Sequence, residues 1–195
     1  MSIIDVFYRL QKMETGMPVT FNIHEGGFEL DDKAYKFPAS TTELKNMLGE
    51  PRIVENTTFD DSDSIKKGIA EDYGFTLETF HPVRYYWDEY GIVGNSYDRE
   101  IINNIVIFFG KSQYPIPTTK YAFGGNLLFD GQPWQDVVTK PGYNGAHRFE
   151  NSLVHTAIYG KKSKAKNLKV MEWMLKTKAT EELKKEIRRR NGLTE

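Results

Sequence analysis

The residues that could supply acid–base or metal-binding chemistry are four histidines and scattered carboxylates, because the sequence contains no cysteine. His147 and Glu150 stand three positions apart, a spacing that places two metal ligands on one face of a helix. Glycines at 142 and 145 and a strand-like run after Arg148 argue against a helix there. Two ligands also fall short of the set that a metal site needs. We therefore expect His147 to be a loop residue, and we predict no metal and no other cofactor.

Other catalytic and ligand-binding motifs are missing from the sequence. It contains no glycine-rich phosphate loop and no Gly-x-Ser-x-Gly nucleophile elbow. An acidic cluster is formed by Asp60, Asp61 and Asp63, but the residues around it lack the glycine and the closing glutamate of a calcium loop. We interpret this cluster as a solvated loop whose carboxylates attract a basic protein partner. These observations favour binding over catalysis, and the chain is predicted not to be an enzyme.

The aromatic run at residues 85–92 is the most distinctive stretch of the chain. In a strand, Tyr85 and Trp87 face one side while Tyr86 and Asp88 face the other, so the alternation predicts one buried face and one exposed face. Exposed aromatic residues beside carboxylates are typical of protein-binding surfaces. We predict a partner-binding surface with six residues, which are Asp60, Asp61, Asp63, Tyr86, Asp88 and Trp134.

The elements that would position these residues are mainly strands. A β-meander is predicted over residues 19–37, with turns at Gly26-Gly27 and Asp31-Asp32. Ser40 and Glu43 form a capping box for a short helix that ends at Gly49. Five further strands and a returning strand are predicted at 75–80, 83–87, 101–109, 121–129, 149–159 and 170–175. The predicted fold class is α+β, mainly antiparallel sheet with a few short helices.

Two segments share one pattern, which raises the alternative of two related α/β halves. Residues 28–48 and 128–138 both run from an apolar strand through an aspartate turn to an aromatic residue and a short helix. A first helix is also predicted near the N-terminus, from Ser2 to about Met13, and a basic helix near the C-terminus, at about 180–191.

Length and charge define the class of protein further. The 195 residues suit a single domain spanning 1–195, with the basic helix as an appendage. Residues 161–195 hold 12 Lys+Arg and 5 Asp+Glu, which leaves 14 and 22 for residues 1–160. The acidic body disfavours nucleic acid, and the arginines at 188–190 suit the negative end of a helix. Without a signal sequence or a membrane span, the chain is expected in the cytoplasm, with no membrane partner.

Several short motifs carry a family resemblance. They are FPAS at 37–40, EL at 43–44, LGEPR at 48–52, YWDEYGI at 86–92, FGGNL at 123–127 and DG at 130–131. Together they resemble small bacterial proteins associated with interbacterial toxin systems, including immunity proteins, some with a fold similar to the β-lactamase inhibitory protein. The resemblance implies an immunity protein that neutralises a toxin or effector by stoichiometric binding.

Two other classes of function remain open from the sequence. One is an enzyme that uses His147, Glu150 or the acidic loop on a small substrate. The other is an adaptor for nucleic acid or a membrane surface that binds through the lysines and arginines of the tail. A deep pocket with perturbed titratable groups would favour the enzyme, and tight salt-dependent nucleic-acid binding would favour the adaptor.

Overall fold

The computed structural model describes residues 13–55, 80–110, 118–143, 146–149, 152–158 and 168–175, with positions 67, 68, 70, 71, 74–76, 78, 185 and 189. Several predicted features lie outside these residues. They are the N-terminal helix as far as residue 12, the aspartates Asp60, Asp61 and Asp63, the candidate Glu150, and the basic helix at 180–191 apart from Lys185 and Arg189.

A five-stranded sheet contains the predicted meander. Its strands, in the order β10-β9-β1-β2-β3, are β10 (Gln132–Pro133), β9 (Asn126–Phe129), β1 (Thr20–His24), β2 (Gly27–Leu30) and β3 (Lys33–Lys36). Neighbours pair antiparallel except β1 and β9, which are parallel. Asp31 and Asp32 both have positive φ, 45° and 68°, as a two-residue hairpin turn requires. Asp130 and Gly131 likewise have positive φ, 50° and 76°, so the predicted turns at Asp31-Asp32 and Asp130-Gly131 are confirmed. The turn predicted at Gly26-Gly27 lies one residue earlier, at Glu25-Gly26.

The second sheet has eight strands, all paired antiparallel. In order they are β11 (Ala146–Arg148), β12 (Ser152–Ile158), β13 (Leu168–Leu175), β8 (Ile101–Phe108), β7 (Ile92–Ser96), β6 (Val83–Trp87) and β5 (Arg52–Glu55), while β4 (Ala39–Ser40) pairs with β8. In the described part of the chain β5 pairs with β6 alone, so it forms one edge of this sheet.

The helices of the described part of the chain are short. Helix α1 (Thr41–Leu48) begins with the predicted capping box: the Ser40 hydroxyl accepts from the amides of Thr42 and Glu43, and the Glu43 carboxylate accepts from the Ser40 amide. It ends at Gly49, whose φ of 81° and ψ of −173° lie in a region that is essentially restricted to glycine. Further helical elements are helix α2 (Trp134–Val138) and a 3₁₀ turn (Asp88–Tyr90), and the described positions 67, 68, 70, 71, 185 and 189 are also helical.

The described fold is thus rich in β-sheet, mostly antiparallel, with few and short helices. Both segments of the internal repeat do form a hairpin followed by a helix, but the two hairpins belong to the same five-stranded sheet. The two segments therefore do not form two separate sheets, and their relatedness stays a prediction.

One predicted strand was wrong and another was only partly correct. The described positions of 75–80 are not in a strand; Phe75 and Phe80 pack with Ala70 and Ile101 in a small cluster of their own. Residues 121–125 also lie outside strands, and β9 begins only at Asn126.

The main core lies between the two sheets. Its largest cluster combines Phe21, Phe28 and Leu30 from the five-stranded sheet with Trp87 and Ile105 from the eight-stranded sheet. Tyr86 belongs to a separate cluster with Val93, Val106 and Phe108 on the opposite face of the same strands. Strand β6 is consequently buried on both of its faces.

Candidate functional site

Segments that are distant in the sequence meet where strand β6 ends. The Trp87 indole Nε1 donates a hydrogen bond to the backbone oxygen of Gly49 at 2.8 Å, which joins β6 to the end of α1. One residue later, Asp88 accepts hydrogen bonds from Arg52 and from the backbone of Lys120. The separate motifs around residues 48–52 and 86–92 therefore form one local structure.

Arg52 and Asp88 form a bidentate ion pair at the centre of this structure. Arg52 Nε lies 2.7 Å from Asp88 Oδ2, and Arg52 Nη2 lies 2.8 Å from Asp88 Oδ1. Asp88 Oδ1 also accepts from the backbone amide of Lys120 at 2.8 Å. This geometry holds the guanidinium in a single orientation, because two parallel N–H···O bonds fix its plane.

The Tyr86 ring forms a second support for the same guanidinium. Arg52 Cζ lies 4.2 Å from the centroid of that ring, within the range of a cation–π interaction. Arg52 and Tyr86 are direct cross-strand partners in the β5–β6 pair, so the register of the sheet sets this contact.

The surroundings of the ion pair keep both Arg52 and Asp88 charged. Burial acts to raise the pKa of Asp88, but the hydrogen bonds and charge of Arg52 and the Lys120 amide outweigh burial and lower it. The Asp88 hydrogen bond likewise raises the pKa of Arg52, although its burial acts in the opposite direction. Both groups are therefore fully ionised at neutral pH, and Asp88 has no tendency to act as a proton carrier.

A cavity of about 220 Å³ opens beside the ion pair, and we call it the Arg52–Asp88 cavity. The aromatic rings of Tyr86, Trp87 and Tyr90 form part of its wall. Its charged lining comprises Glu50, Arg52, Asp88, Glu89 and Lys120. It is smaller than the roughly 300–1,000 Å³ of sites that enclose drug-sized molecules.

Close backbone packing positions Lys120 at this cavity. Gly91 has a left-handed φ of 69°, and a Cβ at this position would collide with the backbone of Ala122 and Phe123. The Phe123 amide also donates to the backbone oxygen of Phe108 at 2.7 Å. The glycine therefore permits the segment from Lys120 to Phe123 to lie directly against the 3₁₀ turn.

The predicted partner-binding residues have different outcomes. Tyr86 and Asp88 do line one cavity, but the prediction that they share an exposed strand face was wrong. Tyr86 is 2 % exposed, beneath Arg52 and beside Val93, and Asp88 is 9 % exposed in the 3₁₀ turn that follows the strand. Trp134 is also buried, at 8 % exposed, and packs in the core against Phe109 with ring centroids 5.2 Å apart. It lines no part of the Arg52–Asp88 cavity.

Neither Arg52 nor Lys120 was among the residues predicted from the sequence to bind a partner. Arg52 lies 36 residues from Asp88, and no local pattern links them. One signal for Arg52 lay in the LGEPR motif. Its glycine ends helix α1, and the arginine that follows the proline begins the edge strand β5.

His147 packs against aromatic residues and, within the described part of the chain, does not belong to a candidate catalytic or metal site. It lies in strand β11 and not in the predicted loop. Its ring stacks on Phe129 at 5.1 Å and meets Phe149 edge-on at 4.8 Å. Burial lowers the pKa of His147; the charge of Asp130 opposes that shift and the charge of Lys140 adds to it. Among the described residues there is no group of three or more His, Cys, Asp or Glu side chains that could hold a metal ion.

A second cavity, of about 440 Å³, lies at the start of helix α1 and is lined mainly by polar side chains, including Thr42, Lys45 and Arg99. The first amides of the helix are already satisfied, since they donate to the Ser40 hydroxyl and to the backbone oxygen of Glu100. Arg99 pairs with Glu55 at 3.1 Å. These contacts leave the helix N-terminus without donors for an anion.

Comparison with known proteins gives one family. A family model described as "Domain of unknown function (DUF7738)" matches residues 20–143, a range that includes the entire Arg52–Asp88 cavity. No curated protein and no solved structure matches the chain. In the described part of the chain, no helix has the length and apolar character needed to cross a membrane.

Proposed function

The chain belongs to the DUF7738 family, a domain of unknown function, and we propose that it acts by stoichiometric binding of a protein partner at the Arg52–Asp88 cavity. The observation that carries this proposal is a guanidinium held in place from two sides, by Asp88 and by the Tyr86 ring, on the wall of a small open cavity. A rigid arginine that need not be ordered on binding is a typical anchor in protein interfaces.

The chemistry of the cavity favours binding over turnover. Its central carboxylate, Asp88, accepts three hydrogen bonds and has a lowered pKa, which suits a fixed charge and not a general acid or base. A cavity of about 220 Å³ accommodates one or two side chains of a partner more readily than a whole metabolite.

The neighbouring edge strand extends the contact surface. Ile53 follows Arg52 on β5 and is 49 % exposed, one of two large apolar side chains with high exposure among the described residues. An edge strand with an exposed isoleucine offers both backbone hydrogen-bonding groups and apolar area to a partner.

We further propose that the partner is a bacterial toxin or effector and that the chain is its immunity protein, working in the cytoplasm. This specific form rests on the resemblance of the short motifs, together with the excess of acidic residues in 1–160, which suits a partner with a basic surface. An immunity protein needs a rigid binding surface and no catalytic groups.

Co-expression tests this function directly. Each gene that flanks the gene for this chain is expressed in a heterologous bacterium, alone and together with this chain. We expect one flanking product to stop growth when expressed alone, and this chain to restore growth and co-purify with that product at 1:1 stoichiometry. A toxic neighbour that kills equally with and without this chain, or rescue without a complex, would contradict the proposal.

A further inference from the structure

We propose that the Arg52–Asp88 cavity recognises a side-chain carboxylate, an aspartate or glutamate presented by the protein partner. The inference rests on the proposed function for the identity of the partner, but the binding site itself can be tested without that partner. It defines which group of the partner enters the cavity and which atoms of this chain receive it.

The guanidinium of Arg52 retains one complete hydrogen-bonding edge. An arginine side chain carries five N–H donors, and Asp88 takes two of them, one from Nε and one from Nη2. Within the described part of the chain these are the only hydrogen bonds of the Arg52 side chain. The edge formed by Nη1 and the second hydrogen of Nη2 remains, and its two parallel donors match the two oxygens of a carboxylate.

Lys120 adds a second cation to the same cavity. Its backbone is fixed by the hydrogen bond to Asp88, while its side chain is exposed and lines the cavity. Its charge already helps to lower the pKa of Asp88, and none of the ion pairs found in the described part of the chain involves its ammonium group. A bidentate arginine and an exposed lysine ammonium are both groups that bind carboxylates in proteins.

The acidic groups around the cavity favour a single negative charge over a double one. The Asp88 charge is matched by Arg52, and Glu50 lies 3.4 Å from Lys45, but Glu89 remains as an exposed carboxylate on the lining. A dianionic phosphate would meet stronger repulsion from these groups than a monoanionic carboxylate would.

A carboxylate bound at Arg52 would also fix the position at which the partner docks. Residues 1–160 are acidic as a whole, so long-range attraction would select a basic partner surface. An acidic side chain of the partner would then bind favourably only at Arg52. Elsewhere on the acidic surface of this chain, like-charge repulsion would disfavour it.

The test uses the full chain and two blocked tripeptides, acetyl-Gly-Glu-Gly-amide and acetyl-Gly-Gln-Gly-amide, with inorganic phosphate as a third probe. Binding is followed by NMR at the backbone amide of Lys120 and the indole N–H of Trp87, which report on the cavity. We expect saturable shifts with the glutamate peptide, and binding about tenfold weaker or absent with the glutamine peptide and with phosphate.

Matched variants distinguish bidentate hydrogen bonding by the Arg52 guanidinium from attraction to any positive charge. Arg52→Lys preserves a cation opposite Asp88 but removes the second pair of donors, and we expect binding of the glutamate peptide to weaken about tenfold. Lys120→Gln should weaken it by a smaller factor. Lys33→Gln, which removes an exposed lysine on the other sheet, should leave it unchanged. Retained amide dispersion in the NMR spectrum establishes that each variant is folded.

The outcomes distinguish this inference from the proposed function. Equal binding of the glutamate and glutamine peptides, or no loss in a folded Arg52→Lys variant, overturns carboxylate recognition even if co-expression still rescues growth. Stronger binding of phosphate overturns it in favour of a phosphate site. Binding of the glutamate peptide that is lost in Arg52→Lys supports the site even if no flanking gene encodes a toxin.

Discussion

The Arg52–Asp88 pair makes a quantitative prediction about stability. Arg52→Met keeps an aliphatic stem but removes two of the three donors to Asp88, whose side chain is only 9 % exposed. Removing one partner of a fully buried ion pair costs about 3–5 kcal/mol. Because the Arg52 side chain is 39 % exposed, water can partly replace it, and we expect a loss of about 2 kcal/mol.

A double-mutant cycle isolates the interaction. Asp88→Asn removes the charge but keeps an oxygen that can accept from the Lys120 amide. We expect the Arg52→Met/Asp88→Asn double variant to lose about 1.5 kcal/mol less free energy of unfolding than the two single variants lose together, measured by urea unfolding. Glu55→Gln is the control, because the pair it forms with Arg99 is 54 % exposed on both sides and should contribute less than about 0.5 kcal/mol.

The pH dependence of the same variants follows from the lowered pKa of Asp88. The stabilisation is complete above the ordinary carboxyl pKa of 3.8 and is lost as the pH falls through the lower value in the folded state. The gap in stability between the unmodified chain and Arg52→Met should therefore narrow in acid. Additive single losses, or an Arg52→Met variant as stable as the unmodified chain at neutral pH, would refute our description of the pair.

Three further predictions concern the framework of the site. Gly49→Ala should cost about 1–2 kcal/mol in urea unfolding from backbone strain alone, since an added Cβ meets no atom within 4 Å; an unchanged stability would show that the positive φ is not required. Trp87→Ala should cost about 3–5 kcal/mol, because a buried ring and its bond to Gly49 are lost, and a loss below about 1 kcal/mol would contradict its core position. For His147, whose pKa is lowered in the fold, stability should be complete above the ordinary pKa of 6.5 and decrease as the pH falls below it; His147→Phe should remove that decrease, and an identical pH profile would argue against the burial effect.

Local signals in the sequence predicted the local structures well. The capping box at Ser40 and Glu43, the glycine at position 49 and the aspartate turns were recognised because each depends on a few adjacent residues. The strand at 83–87 was also predicted, since its aromatic and β-branched residues have strong strand preference.

The exposure of Tyr86 could not be predicted in the same way. Alternation along a strand tells which residues share a face, but a second buried face depends on what packs against the sheet. Here the guanidinium of Arg52 and the side chains of Val93 and Val106 cover the Tyr86 ring. The aromatic run at 75–80 misled for a related reason, because Phe75 and Phe80 are buried in a small cluster without strand pairing.

The candidate site could be recognised only in the tertiary structure. Tyr86 and Asp88 were selected from the sequence, but their partners Arg52 and Lys120 come from segments 36 and 32 residues away from Asp88. No periodicity or motif connects such residues. The pairing of β5 with β6 and the close packing permitted by Gly91 bring them together.

The central claim is that this chain binds a protein partner through the Arg52–Asp88 cavity. Its most direct measurement is calorimetric titration of the purified toxic neighbour with the unmodified chain and with folded Arg52→Lys. We predict a 1:1 complex with the unmodified chain and a dissociation constant about tenfold or more higher for the variant, as expected when an interface anchor is weakened. Equal affinity for both chains would show that the partner binds elsewhere, and no heat of binding with either chain would contradict the account.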